Sequence, residues 1–121
     1  RQLVSAIKQS FPGEELVAVG TNSAATASML KAGADAAATG ENAVVVCAGR
    51  ADIIVGPIGI VIADAMLGEI TPRMAVAVGQ SRAKRVLVPV NQCDNLVAGV
   101  GEFGTGRLIE AAVREIGGLL A

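Results

Sequence analysis

The feature that most constrains this chain is an apolar run at residues 53–55 that ends in a Gly-Pro-x-Gly turn at residues 56–59. An uninterrupted run of this kind is typical of a parallel strand that is buried on both faces. Glycine and proline end the strand, and the apolar residues 59–67 then predict a helix that is buried on more than one side. A buried strand that leads directly into a buried helix predicts a parallel α/β fold.

Helices and strands alternate along the rest of the chain. Apolar runs predict strands at residues 16–20, 34–39 and 84–90, and helical spacing or capping residues predict helices at residues 1–11, 21–31, 71–80 and 105–119. Residues 39–49 begin like a helix but contain three β-branched valines, so a strand that forms a hairpin with residues 53–55 is the alternative. We favour the helix, because parallel neighbouring strands need a crossover.

The connection between two later apolar runs sets their relative direction. Residues 86–90 and 96–100 both predict strands, and only residues 91–95 separate them. A parallel connection needs roughly a dozen residues, so these strands are antiparallel if they are neighbours. The chain is therefore predicted to be a single α/β domain over residues 1–121, a Rossmann-like three-layer sandwich whose mostly parallel sheet has one antiparallel edge strand.

The composition predicts a surface that is partly covered by another subunit. Charged residues make up 17% of the chain and apolar residues 52%, whereas about 25% charged residues is usual. Too little polar surface is left for a small monomer, so either another subunit covers part of it or a piece of the fold is missing. We expect a homo-oligomer, which is the commoner case. Two cysteines cannot form a disulfide framework, which predicts a reducing, cytoplasmic environment.

Composition also argues against several functional classes. The net charge is −1, and aromatic residues make up 2% of the chain, with no Trp or Tyr, so nucleic-acid binding is not expected. The longest apolar run is shorter than the roughly 20 residues that span a bilayer, so no membrane association is expected. Histidine is absent, which removes the usual general base and the commonest metal ligand, and no metal site is predicted.

Polar residues and glycines cluster in four segments that follow predicted strands. In doubly wound sheets, ligands bind outside the carboxyl ends of the strands, so these segments form the predicted ligand- or cofactor-binding edge. Its candidate residues are Thr21, Asn22, Thr39, Gly40, Glu41, Asn42, Gly56, Pro57, Gly59 and Asn91.

Each of these candidates also has a purely structural explanation. Thr and Asn at positions 21, 22, 39 and 42 are residues that cap helices. The glycines of 56–59 are typical of a tight turn, although a helix start there can also bind an anion, with one donor lost at the proline.

Other single residues have mainly structural interpretations. Asp64 is the one charge on the apolar segment 59–67, and it either pairs with an arginine such as Arg73 or faces the ligand cleft, the pair being favoured. Glu69 is expected to be solvated in a loop. Cys93 has no histidine to activate it, and Cys47 lies in an apolar run, so both are expected to be unreactive.

A set of motifs in this chain resembles a small bacterial family known only as a domain of unknown function. The motifs lie at residues 20–24, 29–35, 39–43, 56–60 and 66–72, and the resemblance extends to about residue 100. The family is Rossmann-like, and its members begin with a strand and a glycine-rich loop. The resemblance therefore implies that this strand and loop belong before Arg1. It implies no reaction.

Two functions remain open after these comparisons of residue patterns. The favoured one is an uncharacterised Rossmann-like protein that binds a nucleotide or another small phosphorylated ligand at the carboxyl edge. The acidic residue that holds the ribose of NAD should follow the second strand, but residues 20–23 contain none, so NADP or another nucleotide is preferred and the cofactor is otherwise unknown. The alternative is a non-catalytic homo-oligomeric structural or regulatory module. Whether the chain is an enzyme is left open.

Overall fold

The computed structural model describes residues 1–90, 95–101 and 103–121. Within these residues the chain forms a mixed α/β structure. Its helices are α1 Gln2–Ser10, α2 Ser23–Lys31, α3 Glu41–Arg50, α4 Pro72–Gln80 and α5 Thr105–Leu120, and its strands are β1 Val17–Gly20, β2 Ala36–Thr39, β3 Ile53–Pro57 and β4 Lys84–Val88. No helix in the described ranges is long and apolar enough to cross a membrane.

The strands form two separate parallel pairs. β1 pairs with β2, from Val17 opposite Ala36 to Gly20 opposite Thr39. β3 pairs with β4, from Ile53 opposite Lys84 to Pro57 opposite Val88. Every pairing among the described residues is parallel, and no pairing joins β1 to β3. The α/β class is therefore confirmed, in the form of two small sheets.

Local sequence signals account for the starts of α2 and α4. The side chain of Asn22 accepts a hydrogen bond from the Ala25 N–H at 2.8 Å, which caps α2. Thr71 caps α4 in the same way through the Met74 N–H at 3.2 Å, and Pro72 occupies the first turn, where its missing N–H costs nothing. The helix favoured for residues 39–49 is confirmed as α3, which connects β2 to β3 along the chain.

The apolar core consists of three small clusters of buried residues. One joins Ile7 of α1 to β4 and α5, through Val86, Val88, Ala112 and Ile116. A second joins Val4 of α1 to Ala18 and Ala34. The third is built around Met74 and Ala75 of α4, with Ala65 and Ile70. Helix α1 therefore packs against both pairs of strands.

The predicted antiparallel edge strand does not form. Residues 95–101 lie outside any strand, and Leu96 is 96% exposed. Gly99 has a φ of +81° within a turn at residues 98 and 99, and this left-handed conformation interrupts the extended backbone that a strand needs. An apolar run alone was therefore not sufficient to form a strand here.

The helix predicted at residues 59–67 is also wrong. β3 is followed by a single 3₁₀ turn, Ile58–Val61, and the chain then closes a loop in which the Asp64 N–H donates to the Ile70 carbonyl at 2.7 Å. Asp64, Met66 and Leu67 have φ between +57° and +66°, which no right-handed helix allows.

Candidate functional site

The carboxyl end of β1 is tied to the loop that follows β3. Asn22 lies just beyond β1 and uses both ends of its amide. Its Oδ1 accepts the Ala25 N–H at the start of α2, and its Nδ2 donates to Glu69 Oε1 at 3.3 Å. Glu69 was expected to be only solvated, but it contributes to this contact between two distant segments.

Glu41, the first residue of α3, joins two helix starts. Its Oε2 accepts a hydrogen bond from Thr71 Oγ1 at 2.6 Å, and its Oε1 lies 3.4 Å from Arg73 Nη1. The hydrogen bond from Thr71, and then the one from Arg73, lower the pKa of the Glu41 carboxyl below its usual value. Because Thr71 also caps α4, a single hydroxyl connects the starts of α3 and α4.

Three helix starts consequently meet at one edge of the structure. Asn22 is the N-cap of α2, Glu41 is the first residue of α3, and Thr71 is the N-cap of α4. Asn22 contacts Glu69 in the loop that leads into α4, and Thr71 at the end of that loop contacts Glu41. The N-terminus of each helix carries a partial positive charge and backbone N–H groups without intrahelical acceptors. The edge therefore combines three positive helix ends with two carboxylates.

The start of α3 differs from the other two because it has no side-chain cap. Its N-cap residue is Gly40, with a φ of +100°, and no side chain accepts its first N–H groups. Thr39 was the predicted cap, but its hydroxyl lies 2.8 Å from Thr26 Oγ1 and is used there. Asn42 is exposed in the first turn of α3.

Gly20 allows β1 to end directly against α2. A Cβ atom at Gly20 would lie 2.8 Å from the Thr26 N and closer still to Thr26 Oγ1, so a side chain there would require the helix to move. Thr26 Oγ1 also donates to the Asn22 carbonyl at 3.0 Å. Thr21, between them, is half-buried. The close packing of the end of β1 against α2 therefore positions Asn22.

The predicted segment at 56–59 is placed at the end of β3. Gly56 and Pro57 are its last residues, and Gly59 lies in the 3₁₀ turn. A Cβ at Gly56 would lie 3.0 Å from Ile60 Cδ1, because the Ile60 side chain covers this position. No hydrogen bond joins residues 56–59 to Asn22 or Glu41 within the described ranges. The segment forms a tight turn beside the linked helix starts.

One prediction about a single residue has a definite outcome, and two predicted residues lie outside the described ranges. Arg73 pairs with Glu41, so the predicted Asp64–Arg73 pair is wrong; Asp64 is exposed in a turn. Cys47 is a free, half-buried cysteine on α3. Asn91 and Cys93 lie outside the residues that the structure describes.

Sequence reasoning missed Thr71 and Arg73 as members of this edge. The signal was present in part, because Thr71 followed by Pro72 marks a helix start, and helix starts in α/β folds lie at the carboxyl ends of strands. The contact of Thr71 with Glu41, 30 residues away, has no counterpart in the local pattern.

Shallow depressions lie away from the edge. One, of about 430 Å³, is lined by residues of α1 and by Lys31 and Ala32. Another, of about 420 Å³, lies between β4 and the end of α5. Neither includes a residue of the linked helix starts. Within the described part of the chain, no group of three or more His, Cys, Asp or Glu side chains could hold a metal ion.

Comparison with known proteins identifies the family but no characterised relative. A family model described as "Domain of unknown function (DUF3842)" matches residues 1–121. No curated protein and no solved structure matches the chain. The family model covers the full length given, and it agrees with the motif resemblance to a family of unknown function. The chain belongs to the DUF3842 family.

Proposed function

We propose that the chain binds a nucleotide or another small phosphorylated ligand at the edge where α2, α3 and α4 begin. The observation that carries this proposal is the uncapped start of α3 at Gly40. The first N–H groups of a helix need acceptors from outside the helix, and the positive end of its dipole favours an anion. A phosphate oxygen supplies both the acceptor and the charge.

The carboxylate of Glu41 does not occupy the free N–H groups at the start of α3. Thr71 Oγ1 and Arg73 Nη1 hold it towards α4, at 2.6 and 3.4 Å. Arg73 is more than half exposed and is the cation nearest to this helix start among the contacts described here. It partly offsets the negative charge of Glu41, which would otherwise oppose a phosphate.

The remaining polar groups of the edge suit the uncharged part of a nucleotide. Asn22 Nδ2 and the Glu69 carboxylate are exposed and contact each other, and both can hydrogen-bond to ribose hydroxyls or to a base edge. No acidic residue follows β1 directly, which favours NADP or another nucleotide over NAD. No reaction is assigned, so the proposal covers a binding protein as well as an enzyme.

A Rossmann-like arrangement of the strands is part of the same proposal. In such folds ligands bind outside the carboxyl ends of parallel strands. Both described pairs of strands are parallel, and α2 and α3 begin directly after β1 and β2. These features support the proposed location of the ligand.

A thermal-shift panel tests the proposal. NADP, NAD, ATP, S-adenosylmethionine and inorganic phosphate would each be added to the protein, and any compound that raises Tm would be titrated by calorimetry. We expect at least one to stabilise the protein. Arg73→Gln should weaken its binding about five- to tenfold, because the cation that offsets the negative charge of Glu41 beside the phosphate is lost.

The matched control is Arg50→Gln, which removes the same charge from the exposed last turn of α3. It should leave the affinity unchanged. The proposal fails if no compound of the panel raises Tm, or if Arg50→Gln weakens binding as much as Arg73→Gln.

A second candidate is a non-catalytic homo-oligomeric module. It is favoured by apolar side chains left exposed on α3, α4 and the adjoining loop, namely Val46, Val76 and Leu67. Exposed apolar patches mark interaction surfaces when they are contiguous. Light scattering at micromolar concentration tests this candidate, and a monomer would contradict it.

A further inference from the structure

We infer that Leu67, at the tip of the turn that follows β3, contacts the base of the ligand proposed for the edge. The ligand is then a nucleotide rather than a sugar phosphate or a phosphate ion. This inference rests on the proposed function and deepens it, because the linked helix starts supply only polar groups to the ligand.

Leu67 occupies a backbone position that disfavours leucine. The Glu69 N–H donates to the Met66 carbonyl at 3.2 Å, so Leu67 and Gly68 are the two central residues of a turn. Their φ angles are +57° and +89°, and positive φ at both central positions is typical of a type I′ turn. Glycine, asparagine and aspartate are the usual residues there, because they tolerate the left-handed conformation better than other residues. Leucine at this position therefore costs folding free energy.

The Leu67 side chain gains no packing from the described part of the protein. It is 105% exposed, the highest value among the large apolar side chains described. A Cβ atom at the neighbouring Gly68 would meet no atom within 4 Å. The leucine is therefore unfavourable both in its backbone conformation and in its exposed apolar surface. Residues that break local rules in this way are concentrated at functional sites, where a bound molecule supplies the missing contact.

The base of the turn is fixed by packing and hydrogen bonds, which holds Leu67 in place. Ala65 and Ile70 are buried in the cluster around α4, and the Ile70 N–H donates to the Ala65 carbonyl at 3.2 Å. The Asp64 N–H donates to the Ile70 carbonyl at 2.7 Å, and the Gly68 N–H donates to the Asp64 carbonyl at 3.0 Å. A contact residue that is already in position loses little conformational entropy when a ligand binds.

The chain leads from Leu67 directly to the contacts of the proposed ligand site. Glu69, two residues further on, contacts Asn22 at 3.3 Å, and Thr71 contacts Glu41 at 2.6 Å. Two residues of chain span at most about 7 Å, so the Cα of Leu67 lies within that distance of the Glu69 Cα. A ligand that is hydrogen-bonded by Asn22 and Glu69 is therefore within reach of the leucine.

The composition of the chain explains why an aliphatic residue would cover the base. Bases stack on aromatic or other apolar side chains, but the chain has no Trp or Tyr. Its two phenylalanines have other contacts: Phe11 packs against the cluster that joins α1 to α5, and the ring of Phe103 lies 4.6 Å from the Arg107 guanidinium. Leucine is therefore the apolar surface that this turn offers to a base.

A second copy of the chain is the competing occupant of Leu67. The residues on either side of the tip argue against it, because Asp64 and Glu69 are both exposed acids. An interface that buried the leucine would remove water from these carboxylates, which is costly unless each finds a partner. A bound base is small enough to cover the leucine and leave both carboxylates in contact with water.

Calorimetric titration of Leu67→Ala separates contact with the base from contact with the phosphate. The probes are NADP, ATP and AMP, together with ribose 5-phosphate, which carries a hydroxyl in place of the base. Binding of the tightest nucleotide should weaken about five- to tenfold, because most of the leucine's apolar contact is lost. Binding of ribose 5-phosphate should change by less than about twofold. Arg73→Gln, in contrast, should weaken both classes of ligand equally, since it acts at the phosphate.

Leu30→Ala is the control for the loss of an exposed leucine. Leu30 is 51% exposed and lies about 12 Å along α2 from Asn22, so its replacement should leave every affinity unchanged. Leu67→Asn adds a test without ligand. Asparagine suits the left-handed position, so this variant should raise Tm by about 2–4 °C while it weakens nucleotide binding. A lower Tm would show that the leucine stabilises the fold, and the inference would be wrong.

The titrations distinguish failure of this inference from failure of the proposed function. If the wild type binds ribose 5-phosphate as tightly as the nucleotides, or if Leu67→Ala weakens both equally, the phosphate site stands and the base contact is wrong. If no probe binds, the proposed function fails and the base contact fails with it. Light scattering addresses the competing occupant: a wild-type oligomer that Leu67→Ala converts into a monomer would overturn the inference in favour of a second copy.

Discussion

One carboxylate oxygen of Asp35 joins the amino ends of β1 and β2 to helix α1. Its Oδ2 accepts hydrogen bonds from Lys8 Nζ at 2.7 Å and from the Leu16 N–H at 2.8 Å. The hydrogen bond from Lys8 is the main cause that lowers the pKa of this carboxyl, and the Leu16 N–H lowers it further. The residue is exposed, so its effect on stability is reduced by solvent screening.

The sign of the Asp35 pKa shift predicts how stability depends on pH. A carboxyl whose pKa is lower in the folded protein stabilises it above the unfolded pKa of about 4, and this contribution is lost as the pH falls through the folded pKa. Asp35→Asn should therefore lower Tm at pH 7, and the difference from wild type should shrink as the pH falls below about 4. Asp52→Asn is the control, since no hydrogen bond to the Asp52 side chain is found within the described ranges. A Tm difference for Asp35→Asn that is constant from pH 7 to pH 3 would contradict this prediction.

At the scale of the elements, Thr71 stabilises two helix starts with one hydroxyl. Thr71→Ala removes the acceptor for the Met74 N–H and the donor to Glu41. Loss of such a cap costs about 1 kcal/mol of folding free energy. The pKa of Glu41 should also rise towards its usual value, because the hydrogen bond that lowers it most is gone. Denaturant unfolding and an NMR titration of Glu41 measure the two effects.

Thr71→Ser separates the hydroxyl from the rest of the side chain. Serine retains both the donor and the acceptor, so stability and the Glu41 pKa should stay close to those of the wild type. If Thr71→Ser is as destabilising as Thr71→Ala, the methyl group rather than the hydroxyl is responsible, and the proposed link between the starts of α3 and α4 is wrong.

The elements that the sequence predicted correctly are those with local signals. Asn22 and Thr71 have the chemistry of caps, and α5 has a regular apolar stripe, so each follows from a few neighbouring residues. The segment 59–67 has the composition of a buried helix, but the hydrogen bond between the Asp64 N–H and the Ile70 carbonyl closes a turn instead. Such a closure depends on how the loop packs against α4, which no window of sequence contains.

In the candidate site, too, the features with local sequence signals could be predicted, and those that depend on tertiary packing could not. The alternation of strands and helices predicted that residues 20–22 and 39–42 would lie at one edge, and the structure links Asn22 and Glu41 through Glu69 and Thr71. The partner of Arg73 could not be predicted, because Glu41 and Asp64 are both acids at plausible positions. Only the three-dimensional arrangement of α3 and α4 decides between them.

For the whole molecule, the low share of charged residues and the exposed apolar side chains both favour a surface that is partly covered by another subunit. Charged residues make up 17% of the chain, and Val46 of α3 and Val76 of α4 are exposed although these two helices pack against each other. A second copy that covers α3 and α4 would bury this surface. A stable interface of that kind needs about 800 Å² from each subunit.

Replacing Val76 with Asp tests whether α4 lies in such an interface. A charge at the centre of an apolar interface costs several kcal/mol when it is buried without a partner, so Val76→Asp should convert an oligomer into a monomer at micromolar concentration. Gln80→Asp is the matched control, because it adds the same charge at an exposed position of the same helix, and it should leave the mass unchanged. Multi-angle light scattering of the wild type and both variants measures the mass directly. If both variants keep the mass of an oligomeric wild type, the interface lies elsewhere on the surface, and if the wild type is itself a monomer, the homo-oligomeric module is excluded.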